Sequence, residues 1–263
     1  MIGGIVNAIE SASGGNLYIA AVLAGSICAT LTFIGALPAA LGARSAGRLL
    51  DVGLGFSAGV MLVASFTSLI LPGIELGGLT PVLLGFALGS ATIFLVNKYL
   101  PHEHLVKGFE GPEELGRRLR TVWLLVFAII IHNFPEGLAV GASVSYSVRE
   151  GVLMAIAIGL QDMPEGFAVA MPLVGMGMGV GKALGIALLS GLTEVAMAVV
   201  PVAATSASRA LLPAFLGFAG GSMIYVVSHE VIPETHRHGR EDAATLGLLI
   251  GFIVMLVLDT VLG

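Results

Sequence analysis

The sequence predicts an all-α fold that crosses a membrane many times, on three observations. Of 263 residues, 56% are hydrophobic and only 11% are charged, against roughly 25% charged in a soluble domain. The mean hydropathy is +0.99. The charges are gathered into short stretches between apolar runs of about 20 residues, the length that spans a bilayer. In hydrocarbon a backbone must satisfy its own N–H and C=O groups, so runs of this length are helices.

Eight candidate spans follow in order: residues 17–42, 52–73, 80–100, 121–146, 152–173, 182–204, 209–231 and 243–263. Met1 to Gly15 has no basic n-region and carries Glu10, so no cleavable signal peptide is expected. Most linkers are short. The longest, residues 101–120, reads as a polar loop with room for a short helix after Pro112. All eight spans form one transmembrane domain, residues 1–263. The distribution of Lys and Arg orients it. With the N-terminus on one side, the loops of that side hold Arg149 and Arg209. The opposite side holds Arg44, Arg48, Lys98, Lys107, Arg117, Arg118, Arg120, Lys182, Arg237 and Arg240. The richer side is cytoplasmic, so both termini are expected outside, and an even number of spans agrees.

Gly55/Gly59, Gly85/Gly89, Gly217/Gly221 and Gly247/Gly251 each have G-x-x-x-G spacing. Small residues at this interval let helix backbones approach closely in lipid. Tight internal packing is the expected use, with dimerisation as the alternative.

The chemistry concentrates in the fourth and fifth spans. His132-Asn133-Phe134-Pro135-Glu136-Gly137 lies near the middle of one, and Gln161-Asp162-Met163-Pro164-Glu165-Gly166 near the middle of the next. Each places a nitrogen or oxygen ligand four residues before a glutamate, and residues i and i+4 share a helix face. Neither motif contains a Lys or Arg. Carboxylates in hydrocarbon are costly, and a bound cation is the obvious counter-charge. Consecutive spans run antiparallel, so the two motifs are inverted copies, an arrangement that places substrate sites near the bilayer midplane. Glu194 lies at matching depth in the sixth span. Pro135 and Pro164 free the carbonyls of Ile131 and Leu160 and are expected to kink their helices. Gly137 and Gly166 would let a neighbouring helix or a hydrated ion come close.

Two adjacent cation positions are therefore expected, bridged by Glu136 and Glu165. One would use His132, Glu136, Gln161 and Glu165. Imidazole mixed with oxygen suits a borderline ion such as Zn²⁺. The other would use Asn133, Glu136, Asp162, Glu165 and Glu194, all through oxygen. Such a mixed, thiolate-free site is expected to bind modestly, which suits a carrier that must release its ion. The single cysteine, Cys28, rules out an intrachain disulfide and a cysteine-based zinc site; it is expected to be apolar filler.

Outside the centre, His229 and Glu230 end the seventh span on the cytoplasmic side, placed to receive a departing ion or simply to form a solvated helix end. His236 and His238 read as the latter. His102 and His104 could hold a metal loosely in the long loop. Glu75 reads as an interfacial charge, Met171, Met176 and Met178 as apolar packing, and Trp123 as an interfacial anchor.

At His132–Gly137, at Gln161–Gly166 and at Ser228-His229-Glu230-Val231-Ile232-Pro233-Glu234-Thr235-His236 the chain resembles the ZIP (Zrt-, Irt-like protein) divalent-metal transporters of bacterial type, across essentially all eight spans. The resemblance implies a 3+2+3 arrangement with the fourth and fifth helices between inverted three-helix repeats. It implies a membrane metal pair on His132, Asn133, Glu136, Gln161, Asp162, Glu165 and Glu194. It also implies inward flux of Zn²⁺, with Cd²⁺, Fe²⁺ and Mn²⁺ as alternative cargo, by elevator-like alternating access in the cell inner (plasma) membrane, and a homodimer. No nucleic-acid partner is expected. The bacterial relatives carry a longer N-terminal region with an extra helix, for which Met1 to Gly15 is too short, and Asn97 stands where they carry an acid.

Two other functions compete. An intramembrane metalloprotease would want H-E-x-x-H on a helix, but in His229-Glu230-Val231-Ile232-Pro233 proline replaces the second histidine. An exporter of the same metals is the other, because ligand types do not set direction.

Overall fold

The computed structural model describes residues 2–41, 47–99, 102–104, 108–110, 121–175, 177–236 and 239–262, with side chains described at 3–40, 50–99, 131–175, 177–236 and 239–261. Nine helices organise them: α1 (Ile2–Ser13), α2 (Leu17–Ala36), α3 (Gly47–Ala64), α4 (Leu79–Tyr99), α5 (Thr121–Tyr146), α6 (Val148–Gly175), α7 (Val180–Ala207), α8 (Leu212–Val226) and α9 (Glu241–Leu262). Among the described residues, seven helical stretches are long and apolar enough to cross a membrane. The 26-residue α5 carries the His132 motif; the side chains of its first turns, Trp123 included, lie outside the described residues. Apart from one short strand pair in the linker before α5, the described secondary structure is helical, and the protein is a multi-pass membrane protein.

Three local features depart from the sequence reading. Residues 2–13 do form a helix, though at 12 residues it is about 18 Å long and does not span. Val6, Ile9 and Ser13 bury one face of it, spaced as a helical stripe, and it packs on α2 and α6. Gly14 and Gly15, at φ 56° and 81°, turn the chain, and the Asn16 side chain caps α2 by accepting from the N–H groups of Tyr18 and Ile19 at 2.9 and 3.3 Å. Secondly, the long linker is not wholly irregular: β1 (His102–His104) pairs antiparallel with β2 (Gly108–Glu110), His102 opposite Glu110. The expected helix after Pro112 lies outside the described residues. Thirdly, α3 and α8 are each interrupted by a π-helical turn, Ser65–Ile70 and Val227–Val231, and resume as Leu71–Gly77 and Ile232–Thr235. Such turns concentrate at functional sites.

The glycine pairs close two seams. A Cβ on Gly55 or Gly59 would lie 2.1 Å from the carbonyl oxygen of Ala244 or Leu248 on α9. A Cβ on Gly247 or Gly251 would lie 2.1 Å from that of Val52 or Phe56 on α3. Gly85 and Gly89 meet Ala214 and Phe218 on α8 in the same way, and Gly217 and Gly221 meet Val82 and Phe86 on α4. All four G-x-x-x-G pairs are therefore spent on internal packing, with backbone against backbone.

The remaining long helices form a second group, in which α2 packs along α6 and α7, and α5 along α7. Among the seven stretches long and apolar enough to cross a membrane, α6 is the most enclosed, whereas α4 and α9 are mostly uncovered. Leu83, Leu84 and Leu88 on α4 and Leu249, Ile253 and Val257 on α9 are exposed, the positions that lipid would cover.

Candidate metal centre

The two proline-glutamate motifs sit inside helices that continue past their prolines, Pro135 in α5 and Pro164 in α6. The glycine after each glutamate brings in a neighbouring helix. A Cβ on Gly137 would stand 2.6 Å from the Glu194 carbonyl oxygen of α7, and one on Gly166 would stand 2.1 Å from the Thr32 carbonyl oxygen of α2. Only glycine permits these approaches. The motifs thus supply ligands and also dock the two helices that complete the site.

Two clusters result. In the first, one ligand atom each from His132, Glu136 and Glu165 lies within 4.8 Å of the others. His132 Nε2 is 3.2 Å from Glu165 Oε2. The Gln161 amide donates to Glu136 Oε1. In the second, Asp162 and Glu194 stand within the same distance of each other and of Cys28 Sγ. Asn133 Nδ2 donates to Glu194 Oε1 at 2.7 Å and to Ser190 Oγ at 3.0 Å. All seven sequence-predicted ligands therefore converge, each amide of the pair Asn133 and Gln161 holding one carboxylate in place.

Much of this oxygen is left over. Glu136 Oε2, Gln161 Oε1, both Asp162 oxygens, Glu165 Oε1 and Glu194 Oε2 are buried without a hydrogen-bond partner. Buried polar atoms are normally paired, and each unpaired one costs on the order of 1–3 kcal/mol. Carboxylate-rich atoms gathered within ligand distance of one another are what a dication would satisfy.

Around the centre the structure separates the weaker candidates. Glu230, 6% exposed, faces His132 Nδ1 at 3.5 Å through Oε2 and accepts from Asn97 Nδ2 at 2.7 Å through Oε1. It is joined to the centre from the π-helical turn of α8. Its neighbour His229 lies instead against the Tyr225 ring, centroids 5.1 Å apart. His236 Nδ1 sits 2.8 Å from Thr235 Oγ1 and 2.9 Å from the Ile232 carbonyl, closing a helix end. Glu75 is exposed, as befits an interfacial charge. Met171 and Met178 pack on an apolar cluster around Phe167, Leu173 and Ala187. The side chains of His102 and His104, and residues Met176 and His238, lie outside the described residues.

Two participants were not picked out by the sequence reading. Ser190 is one turn before Glu194 on α7 and shares its Asn133 donor, so an i, i+4 search from Glu194 would have found it. Cys28 is buried, as filler would be, but its thiol faces two carboxylates, so one cysteine excludes an all-cysteine site without excluding a site of mixed sulfur and oxygen, a correction to the reading from the sequence. No spacing in the sequence relates α2 to α6 and α7, and only their packing brings the thiol there.

The profile of the ZIP Zinc transporter family matches residues 101–259. Over 275 aligned residues the chain is 44% identical to Zinc transporter ZIPB of Bordetella bronchiseptica, covering 100% of this chain and 87% of that protein. It is 39% identical to Zinc transporter GufA of Myxococcus xanthus, covering 93% of this chain and 99% of that one. It is 32% identical to Zinc transporter ZupT of Escherichia fergusonii, covering 85% and 90%.

Proposed function

The chain belongs to the ZIP zinc-transporter family, and on that premise we propose that it carries Zn²⁺ into the cytoplasm through a two-ion site at mid-membrane in the cell inner membrane. The protein is a transporter and not an enzyme. The observation that carries the reading is the set of buried, unpartnered oxygens on Glu136, Gln161, Asp162, Glu165 and Glu194, with the His132 imidazole beside them.

The first ion position is His132, Glu136, Gln161 and Glu165; the second is Asp162 and Glu194 with Asn133. Glu136 and Glu165 share oxygens between the two. Each carboxylate has two oxygens, and each keeps one buried oxygen free. Nitrogen with oxygen favours Zn²⁺ and allows Cd²⁺, Fe²⁺ and Mn²⁺ as weaker cargo. The Glu230 carboxylate, on the far side of the His132 ring, gives a departing ion its next oxygen, and His102 and His104 would lie beyond it as a cytoplasmic acceptor.

Movement is alternating access, one helix group displaced past the other. The division into the glycine-seamed α3, α4, α8 and α9 and the ligand-bearing α5, α6 and α7, with α2 packed along α6 and α7, supports this. A 3+2+3 inverted repeat is supported by the pairing pattern. Exchanging α2 with α7, α3 with α8, α4 with α9 and α5 with α6 turns the α3–α9 seam into the α4–α8 seam, and the α2–α6 pair into the α5–α7 pair. It also superposes the two π-helical turns. Both termini lie outside in this reading, and a dimer would have to use surfaces other than the glycine seams.

The test is uptake of a metal panel by proteoliposomes of known orientation, with and without a pH gradient. Inward Zn²⁺ flux that vanishes in Glu136→Ala supports the reading. Net outward flux would replace it with export, and wild-type uptake by the variant would remove the site.

A further inference from the structure

Cys28 sits mid-way along α2 with no exposed surface. Its Sγ donates to the Ala155 carbonyl at 3.3 Å, and it lies within 4.8 Å of a carboxylate oxygen from Asp162 and one from Glu194. Both Asp162 oxygens and Glu194 Oε2 lack partners, and these two side chains are 1% and 0% exposed. Three helices, α2, α6 and α7, thus deliver one sulfur and two carboxylates to a common point. Bonds of about 2.3 Å to sulfur and 2.0–2.2 Å to oxygen put ligand atoms roughly 3.5 Å apart around a tetrahedral Zn²⁺, a spacing that separations below 4.8 Å reach with small rotamer adjustments.

We propose that Cys28 is a ligand of the second ion position, which makes it a sulfur-containing site that prefers Zn²⁺ and Cd²⁺ to Mn²⁺ and Mg²⁺. The inference rests on the transport reading above and deepens it. When the ion enters, the metal–sulfur bond replaces the S–H bond and the thiol proton passes to water. Thiolate is a soft donor and selects borderline and soft ions, whereas carboxylates alone suit Mg²⁺ and Mn²⁺. The two positions would then differ in kind: imidazole and oxygen at one, sulfur and oxygen at the other.

The chain has one cysteine, so any sulfur-to-cadmium charge-transfer absorption belongs to Cys28. The experiment titrates Cd²⁺ into the purified full-length protein, following near-ultraviolet absorption together with bound-metal stoichiometry. The expected result is a band that saturates at one Cd²⁺ per chain and protects the thiol from alkylation. The band should persist in His132→Ala and vanish in Cys28→Ser, which should also lose at least about tenfold of the Zn²⁺-over-Mn²⁺ preference in competitive uptake, the low end of what a lost supporting group costs a metal site. Cd²⁺ bound at the centre with no band in the wild-type protein would overturn the role of Cys28 while leaving transport intact. No Cd²⁺ bound at all would overturn the transport reading as well. The wild-type spectrum decides even if a variant folds poorly.

Discussion

The glycine seams and the ligand centre solve opposite problems with the same short-range geometry. Along α3–α9 and α4–α8 the missing Cβ atoms let carbonyl oxygens of the facing helix close to about 2 Å from where a side chain would begin. Little polar is left over there: Ser90 Oγ donates to the Gly221 carbonyl, and the Ser222 hydroxyl beside Gly89 is buried without a partner, but among the described residues no seam carboxylate is left unpaired. At Gly137 and Gly166 the same close approach of α7 and α2 instead draws Glu194 and Cys28 in toward Glu136, Asp162 and Glu165, and leaves buried oxygens without partners. One region lowers its free energy by completing contacts. The other keeps contacts incomplete, and a cation would complete them. The lesson is that close helix packing by itself says nothing about function; the unsatisfied atoms at the contact do.

Separating the two regions by mutation gives the sharpest tests. Glu136→Ala should reduce Zn²⁺ uptake to background and empty both ion positions. The wild-type protein should gain about 2.7 kcal/mol at a free Zn²⁺ concentration roughly a hundred times Kd, seen as a rise in Tm, and the variant should lose that rise while melting near wild type in chelator. A variant that also melted early in chelator would mean the centre is structural. Asp162→Ala should leave one ion at the His132 cluster, and two ions in anomalous diffraction would show that the ligands are divided differently. At the seam, Gly85→Val drives a side chain into the Ala214 carbonyl, 2.0 Å from the new Cβ. It should cost about 1–3 kcal/mol, as overpacking does, with bound-metal stoichiometry unchanged in the folded fraction. If that variant lost metal before it lost stability, the two regions would not be separable. His229→Ala should change uptake by less than about twofold, because its half-buried ring packs on Tyr225 and belongs to neither ligand cluster.

Legibility in the sequence followed the range of the signal. The i, i+4 spacing of His132 with Glu136 and of Gln161 with Glu165 sits within one helix each, so the paired ligands were readable from helical period alone. Glu194 was found by depth, since antiparallel spans of similar length put their midpoints in one plane. The partner of each ligand was not readable. Which amide holds which carboxylate, Gln161 on Glu136 and Asn133 on Glu194, depends on helix rotations that no spacing encodes. The π-helical turns escaped for a related reason: Ser65–Ile70 and Val227–Val231 have ordinary apolar composition, and one extra residue per turn leaves no periodic trace over so short a stretch. Met1 to Gly15 reads as too short for an extra helix, yet one forms at Ile2–Ser13; its stripe of Val6 and Ile9 needed α2 and α6 to give it a face to bury.

Sequence alone determined that this chain lives in a membrane, where its long apolar helices fall, and which carboxylates lie deep within them, because hydrocarbon punishes charge and unpaired backbone everywhere along the chain. Tertiary structure decided which glycines join which helices, that Glu230 and not His229 turns toward the centre, and that Cys28 meets Asp162 and Glu194. Those outcomes depend on how rigid cylinders rotate and slide against one another, and that is fixed by packing between residues more than a hundred positions apart rather than by any local pattern.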